Sequence, residues 1–215
     1  MFFFRNGAIR KYHELRETGK IVNQDIINRF IDQRMLLQSS KLLGLLKNEQ
    51  MSYRRESDSY ILLDFAIHEL KSNGKNAVAL YKEKVKQLPP LEAEIIQAMM
   101  DSYTSLFKII GINKRAAKLQ LVDLLVGSPS PLTLLDFNLS RSAPEGLLLF
   151  TRLLPLGDFH LHAGIGLPFS AALENFLLKE YPRLAHRVKS PSPGIKKYVA
   201  FFKLHRRYGT DVYFL

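Results

Sequence analysis

The feature that most constrains the fold is a change of pattern near residue 104. From there to residue 169 the apolar residues come in short runs, and each run is ended by a cluster of turn residues. Short runs with such short links are typical of antiparallel β-strands. The pattern predicts five strands: Leu106–Ile112, Lys118–Val126, Leu132–Ser140, Leu147–Leu154 and Asp158–Leu167. Strongly twisted strands in this number can close into a small barrel or curl over a helical layer.

The composition of these runs leaves a second interpretation open. Leu outnumbers Val and Ile in them, although strands prefer β-branched residues. A helical conformation therefore remains an alternative for Leu119–Val126 and Leu147–Leu154. The clearest break lies at Gly127–Pro131, where Gly, Ser and Pro exclude either regular structure.

Helices are predicted on both sides of the strands. Asn23 is placed to cap one helix, a second runs from about Tyr53 to Ser72, and Asn76 and Pro90 begin two more. After residue 169 a further helix precedes a Ser-Pro linker, and the last element is Ile195–Tyr208. The fold class expected is α+β. We expect three regions: a helical region (1–104), a β meander resembling a barrel (105–169) and C-terminal helices (170–215).

Composition narrows the possible functions. The 215 residues include 31 Lys and Arg, 20 Asp and Glu and no Cys, which gives a net charge of +11. The absence of Cys excludes disulfides, thiolate metal sites and a Cys nucleophile. The longest apolar runs are too short to span a membrane, and the first residues do not have the order of a secretory signal. We therefore expect a cytoplasmic protein without a transmembrane segment.

The charge is concentrated towards the two ends of the chain. Residues 1–118 hold 20 basic and 13 acidic side chains, whereas residues 179–215 hold 9 basic and 2 acidic ones. In the last element basic and aromatic residues alternate, a pattern that suits phosphates and stacked bases. A helix docked on the body with a solvated basic face is the alternative. The candidate nucleic-acid-binding residues are Lys196, Lys197, Tyr198, Phe201, Lys203, Arg206 and Arg207.

Three isolated charges stand in otherwise apolar predicted strands. Arg152 is in the fourth strand, and Asp136 and Asp123 are in the third and second. A buried charge has to be paired and hydrogen-bonded. We therefore expect Arg152 to form a structural ion pair with Asp136 or Asp123.

The residues Asp158, His160 and His162 alternate along the fifth predicted strand. Alternate residues share one face of a strand, so these three could bind a divalent metal ion. Polar and apolar alternation is also what a half-exposed strand shows without any ligand. We expect no metal there and no other cofactor.

Three classes of function follow from these observations. The first is a binding protein without enzymatic activity, whose basic surface binds RNA or DNA. The second is a protein-interaction or structural module whose partner is an acidic protein. The third is a metal-assisted hydrolase that uses Asp158, His160 and His162. Sequence motifs for nucleotide-binding loops and for serine hydrolases are missing from the chain.

Overall fold

The computed structural model describes residues 2–48, 50–127 and 130–210, with side chains from residue 10 onward except at 164 and 165. The helices are α1 (Phe2–Phe30), α2 (Gln33–Leu43), α3 (Ser57–His68), α4 (Ala77–Lys84), α5 (Pro90–Met100), α6 (Phe137–Ser142), α7 (Glu174–His186) and α8 (Pro193–Tyr208). The strands are β1 (Leu46–Lys47), β2 (Gln50–Met51), β3 (Tyr103–Asn113), β4 (Lys118–Asp123), β5 (Leu132–Leu135), β6 (Leu148–Leu156) and β7 (Phe159–Phe169). The predicted α+β class is confirmed.

Strands β3 to β7 close into a barrel within the described residues, in the order β3-β4-β5-β7-β6, with β6 returning to β3. The predicted strands are present, including the two for which a helix was the alternative. The predicted antiparallel meander is wrong in two respects, because β6 pairs with β3 and because β5 pairs with β7 in parallel. The barrel is closed by β5 and β7, which run parallel and place Leu134 opposite His160.

Two predicted strands end earlier than expected because an aspartate turns the chain. Asp123 ends β4, and its Oδ1 accepts hydrogen bonds from the backbone N–H groups of Leu125 and Val126. Asp136 ends β5 and caps α6, since its Oδ1 accepts from the N–H of Leu139 at 2.7 Å. Short polar side chains favour such turns and caps over strand interiors. The predicted break at 127–131 includes residues 128 and 129, which lie outside the described residues.

The N-terminal helices follow the predicted capping residues only in part. Asn76 caps α4, with Oδ1 3.0 Å from the N–H of Ala79, and Pro90 opens α5. Asn23 caps nothing, because α1 continues through it. Val22 and Ile26 are both buried one turn apart on α1. Burial of that apolar stripe stabilises a continuous helix more than a cap at Asn23 would stabilise a helix that begins there.

The helices cover the barrel on two sides. On one side α8 packs against β6 and β7, where the rings of Phe150 and Phe201 stack with centroids 4.4 Å apart. On the other side α1 and α5 form an apolar layer with the β6–β7 hairpin, which includes Leu15, Ile95 and Leu154. No helix among the described residues has the length and apolar character needed to cross a membrane.

Candidate nucleic-acid interface

Helix α8 carries part of the predicted basic tail on its outward side. Ser192 caps it, with Oγ accepting from the N–H of Ile195, and Pro193 occupies its first turn. Lys203, Arg206 and Arg207 are three and four residues apart, so they project from one side of the last turns. Lys203 and Arg207 are exposed, whereas Arg206 is half-buried.

A short hairpin forms the opposite wall of a cleft beside this end of α8. Gly44 ends α2 at φ +73°, a conformation that glycine adopts without strain, and leads directly into β1. The cleft has a volume of about 610 Å³. Of the described residues that line it, five are basic and none is acidic. The basic residues are Lys47, Arg54, Lys203, Arg206 and Arg207.

Arg206 holds the two walls of the cleft together. Its Nη2 donates to Oδ2 of the buried Asp58 at 2.8 Å. The same carboxylate oxygen accepts from the backbone N–H groups of Arg54 and Arg55 at 2.7 and 3.2 Å. The guanidinium also lies over the ring of Phe202 at 4.9 Å. Arg206 is therefore a structural cation that fixes the position of Arg54.

The field in the cleft is positive. Burial lowers the pKa of Arg206, and the neighbouring charges of Arg54 and Arg55 lower it further, against the opposite effect of Asp58. The lining of the cleft, with five basic and no acidic residues among those described, makes this field positive. Within the described residues the side chains of Lys47, Arg54, Lys203 and Arg207 form no ion pair. These four are therefore available to an anionic partner.

The two aromatic residues predicted to stack on bases are core residues instead. Tyr198 and Phe201 are 3% and 0% exposed. Phe201 lies between the rings of Phe150 and Tyr181, and the Tyr198 hydroxyl donates to Oδ2 of Asp64 at 3.1 Å. The prediction that they contact nucleic acid is therefore wrong. The physical reason is that α8 is packed against the barrel on one side and against α7 on another.

The two lysines at the start of α8 also lie away from the cleft. Lys197 is half-buried, and its ammonium group donates to the carbonyl oxygen of Thr104. Burial lowers its pKa, which the nearby Glu69 and Asp123 partly oppose. Lys196 is half-buried and does not line the cleft. Of the predicted set, Lys203, Arg206 and Arg207 are thus the residues that the structure brings together.

Arg152 is paired, but with different acids from those predicted. Its side chain is 5% exposed, its Nε donates to Oδ1 of Asp64 at 3.3 Å, and its Nη2 donates to Oε1 of Glu69 at 2.6 Å. Asp64 lies on α3 and Glu69 directly follows its last residue, so neither acid is on a neighbouring strand. The prediction of Asp136 or Asp123 as partner is therefore wrong, because Arg152 points outward from the barrel towards the helices.

Asp123 and Asp136 bind other groups. Oδ1 of Asp123 accepts from the hydroxyl of Ser105 at 2.5 Å. Oδ2 of Asp136 lies 2.9 Å from Nε2 of His162 and 3.7 Å from the guanidinium of Arg16. Arg16 also donates to the carbonyl oxygen of His162 at 2.8 Å, so these contacts tie α1 to the barrel.

The three residues weighed as a metal-binding face, Asp158, His160 and His162, lie in different surroundings. Asp158 lies in the turn between β6 and β7 and is exposed, His160 is half-buried, and its Nδ1 lies 3.3 Å from the carbonyl oxygen of Thr133. His162 is 7% exposed and bound to Asp136. Across the described residues, no three His, Asp or Glu side chains form a group that could hold a metal ion.

Lys47 and Arg54 are residues of the cleft that were not among the predicted nucleic-acid-binding residues. They lie about 150 positions before Arg206 in the chain. Lys47 ends β1, and Arg54 lies between β2 and α3, where the sequence predicts the start of a helix. Gly44 followed by the Asn48 turn was the available signal for a hairpin. Nothing in the local sequence indicated that α8 would be its neighbour.

Comparison with known proteins gives a family but no described relative. A family model described as a family of unknown function (DUF7986) matches residues 6–215. No curated protein and no solved structure matches the chain.

Proposed function

The chain belongs to this family of unknown function, and we propose from its geometry that it binds nucleic acid, with the sugar-phosphate backbone in the cleft between the β1–β2 hairpin and the end of α8. The observation that carries the proposal is the cleft lining, with five basic side chains and no acidic one among its described residues. Phosphate contacts provide most of the affinity in sequence-independent binding.

The arginines favour phosphate as the bound group. A guanidinium presents its donors in a planar fork that matches two phosphate oxygens, and it stays charged at any physiological pH. Arg206 is half-buried and held by Asp58, while Arg54 and Arg207 are exposed. A site with one paired cation and several exposed, unpaired ones suits a chain of phosphates better than a single small anion.

The barrel supports the same proposal by analogy. Its Greek-key order occurs in five-stranded barrels of the OB type, which bind oligonucleotides across the second and third strands and the adjoining loops. The corresponding elements here are β4, β5 and the turn that carries Lys114 and Arg115. A fold-level analogy is weaker than the chemistry of a site. The barrel rim is therefore the second surface to test.

The test is an anisotropy titration of single-stranded RNA and DNA at several salt concentrations. The cleft variant replaces Lys47, Arg54, Lys203 and Arg207 with Gln, and leaves the structural Arg206 in place. Each lost phosphate contact removes about 0.7 from the slope of log K against log salt on single strands. We expect the slope to become shallower by roughly 2–3 and the affinity at low salt to fall by at least tenfold.

Two further variants control for the net charge of the protein and for the location of the binding surface. Lys71, Lys86, Lys179 and Lys189 are exposed lysines away from the cleft, so replacing them with Gln changes the net charge equally. We expect that variant to bind nearly as the wild type does.

A variant of the barrel rim tests the second surface. If replacing Lys114, Arg115 and Lys118 abolishes binding and the cleft variant still binds, the barrel rim is the interface. If RNA and DNA fail to bind at low salt, an acidic protein becomes the better partner.

A further inference from the structure

A second cleft, which shares no lining residue with the first, lies between α1, α3, α5 and the barrel. It has a volume of about 340 Å³ and opens beside Gly19 and Asn23 of α1. A smaller recess of about 150 Å³, bordered by Arg16 and His162, shares residues of both walls with it. The walls of the larger cleft are mainly apolar. They are formed by Ile27, Leu63, Ile67, Ile95, Met99 and Leu154.

Asp64 and His68 are the buried polar residues of that cleft, which is also lined by Lys20, Asn23, Gln24 and Tyr60. The side chains of Asp64 and His68 are more than nine-tenths buried, and they are one turn apart on α3. Nε2 of His68 is 3.9 Å from Oδ1 of Asp64, which is too far for a hydrogen bond. Within the part of the chain that the structure describes, neither ring nitrogen of His68 has a hydrogen-bond partner.

The environment of His68 favours the neutral imidazole. Burial, and then the charge of Arg152, lower its pKa well below the ordinary value. A neutral imidazole offers one donor and one acceptor. His68 lines the cleft, so a group bound there can supply the hydrogen-bond partner that polar side chains in protein interiors nearly always have.

The surroundings of His68 indicate which kind of group that partner is. Oδ1 and Oδ2 of Asp64 already accept from Arg152 and from Tyr198. The cation that lines the cleft, Lys20, is exposed and already pairs with Glu17 at 2.6 Å. A charged group entering beside the buried His68 would therefore lose its hydration without gaining a buried counter-ion, which is costly. An uncharged hydroxyl, amide or carbonyl group meets no such cost.

We propose that this cleft binds a small, uncharged, largely apolar molecule and that His68 hydrogen-bonds to its polar group. A volume of about 340 Å³ is at the small end of the range for ligand pockets, which suits a molecule of one or two rings. The site is separate from the basic cleft, so neither proposal depends on the other.

The matched probes p-cresol and toluene test the proposal, because they have the same shape apart from one hydroxyl. Binding is followed by ¹H–¹⁵N NMR titration of the full chain. We expect both probes to saturate a site at Ile67 and Met99, and p-cresol to bind about tenfold more tightly because its hydroxyl satisfies a buried group. In His68→Phe, which keeps a ring in place, we expect the preference for p-cresol to disappear while toluene still binds.

Gly19 provides a variant that does not touch the polar groups. A Cβ at this position would meet no atom within 4 Å, and Gly19 lines the cleft, so a large side chain has room to enter it. We expect Gly19→Phe to abolish binding of both probes and Gly19→Ala to keep it. Thermal unfolding by circular dichroism shows whether each variant is folded.

Three results would overturn the proposal. They are a lack of saturable binding to the wild type, equal affinity of the wild type for the two probes, and an undiminished preference for p-cresol in folded His68→Phe. If His68→Phe does not fold, the affinities of the two probes for the wild type and for Gly19→Phe still test the proposal. Binding that persists unchanged in folded Gly19→Phe would place the site elsewhere.

Discussion

Arg152 on β6 forms buried ion pairs with Asp64 and Glu69, and these pairs connect the barrel to the helices. Replacing Arg152 with Met removes the partner of Asp64 and Glu69 and leaves two carboxylates buried. We expect Arg152→Met to lower the free energy of unfolding by about 3–5 kcal/mol, measured by urea denaturation.

The matched control for this change is Arg183→Met, since Arg183 pairs with Glu180 at the surface of α7. An exposed pair of this kind contributes about 0.5 kcal/mol or less. A loss below about 1 kcal/mol in Arg152→Met would contradict the assignment of Arg152 as a required buried partner.

Asp136 makes stability depend on pH in the acid range. Burial alone would raise its pKa, but the hydrogen bond and charge of His162 outweigh burial and lower the pKa to about 2. Because the folded value lies below the unfolded value, the ionised carboxylate stabilises the fold above about pH 4. That contribution, about 2 kcal/mol, is lost as the pH falls towards 2.

Urea unfolding of the wild type and Asp136→Asn at several pH values measures this effect. The difference between their free energies of unfolding should shrink by about 2 kcal/mol between pH 7 and pH 2. Asp158→Asn, in the exposed β6–β7 turn, serves as the control for removing one carboxylate. A difference between wild type and Asp136→Asn that stays constant with pH would show that Asp136 does not titrate as described.

At the scale of elements, α8 divides into a core side and a cleft side. Phe201 is fully buried between two aromatic rings, and Lys203, two positions on, is exposed in the basic cleft. We expect Phe201→Ala to lower the free energy of unfolding by about 3–5 kcal/mol through the cavity it leaves. Its affinity for nucleic acid, measured on the folded fraction, should stay that of the wild type.

Lys203→Gln should behave in the opposite way. Removing one exposed phosphate contact weakens binding and reduces the salt slope by about 0.7, while the urea midpoint stays unchanged. Loss of affinity in folded Phe201→Ala, without any change in Lys203→Gln, would mean that α8 contacts its partner through the other side.

At the scale of the whole molecule, we expect the barrel and the helices to unfold together. Buried hydrogen bonds connect Arg152 on β6 with Asp64 on α3, and Asp64 with Tyr198 on α8. Hydrogen exchange in moderate urea, read by mass spectrometry, should give the same opening free energy for peptides from β6, α3 and α8. A helical region that opens at a clearly lower free energy would show two separate folding units.

The candidate sites show what the sequence did not contain. The basic tail was visible as a cluster of charges, and three of its residues do line the basic cleft. The position of Lys47 and Arg54 beside α8 was not visible in the sequence, because it results from how the segment between α2 and α3 packs against α8. The partner of Arg152 was missed for a similar reason: the sequence showed that a buried charge needs an acid, but not which of several acids faces it.

Local chemistry determined the elements. Turn residues ended the strands, Asn76 and Pro90 began helices, and the apolar runs gave the strands of the barrel, since these signals act over a few residues. The tertiary structure decided the rest: that α1 runs through Asn23, that β6 returns to β3, and that Tyr198 and Phe201 are buried. Each of these depends on surfaces brought together from distant parts of the chain, and the free energy of that burial exceeds the local preferences of single residues.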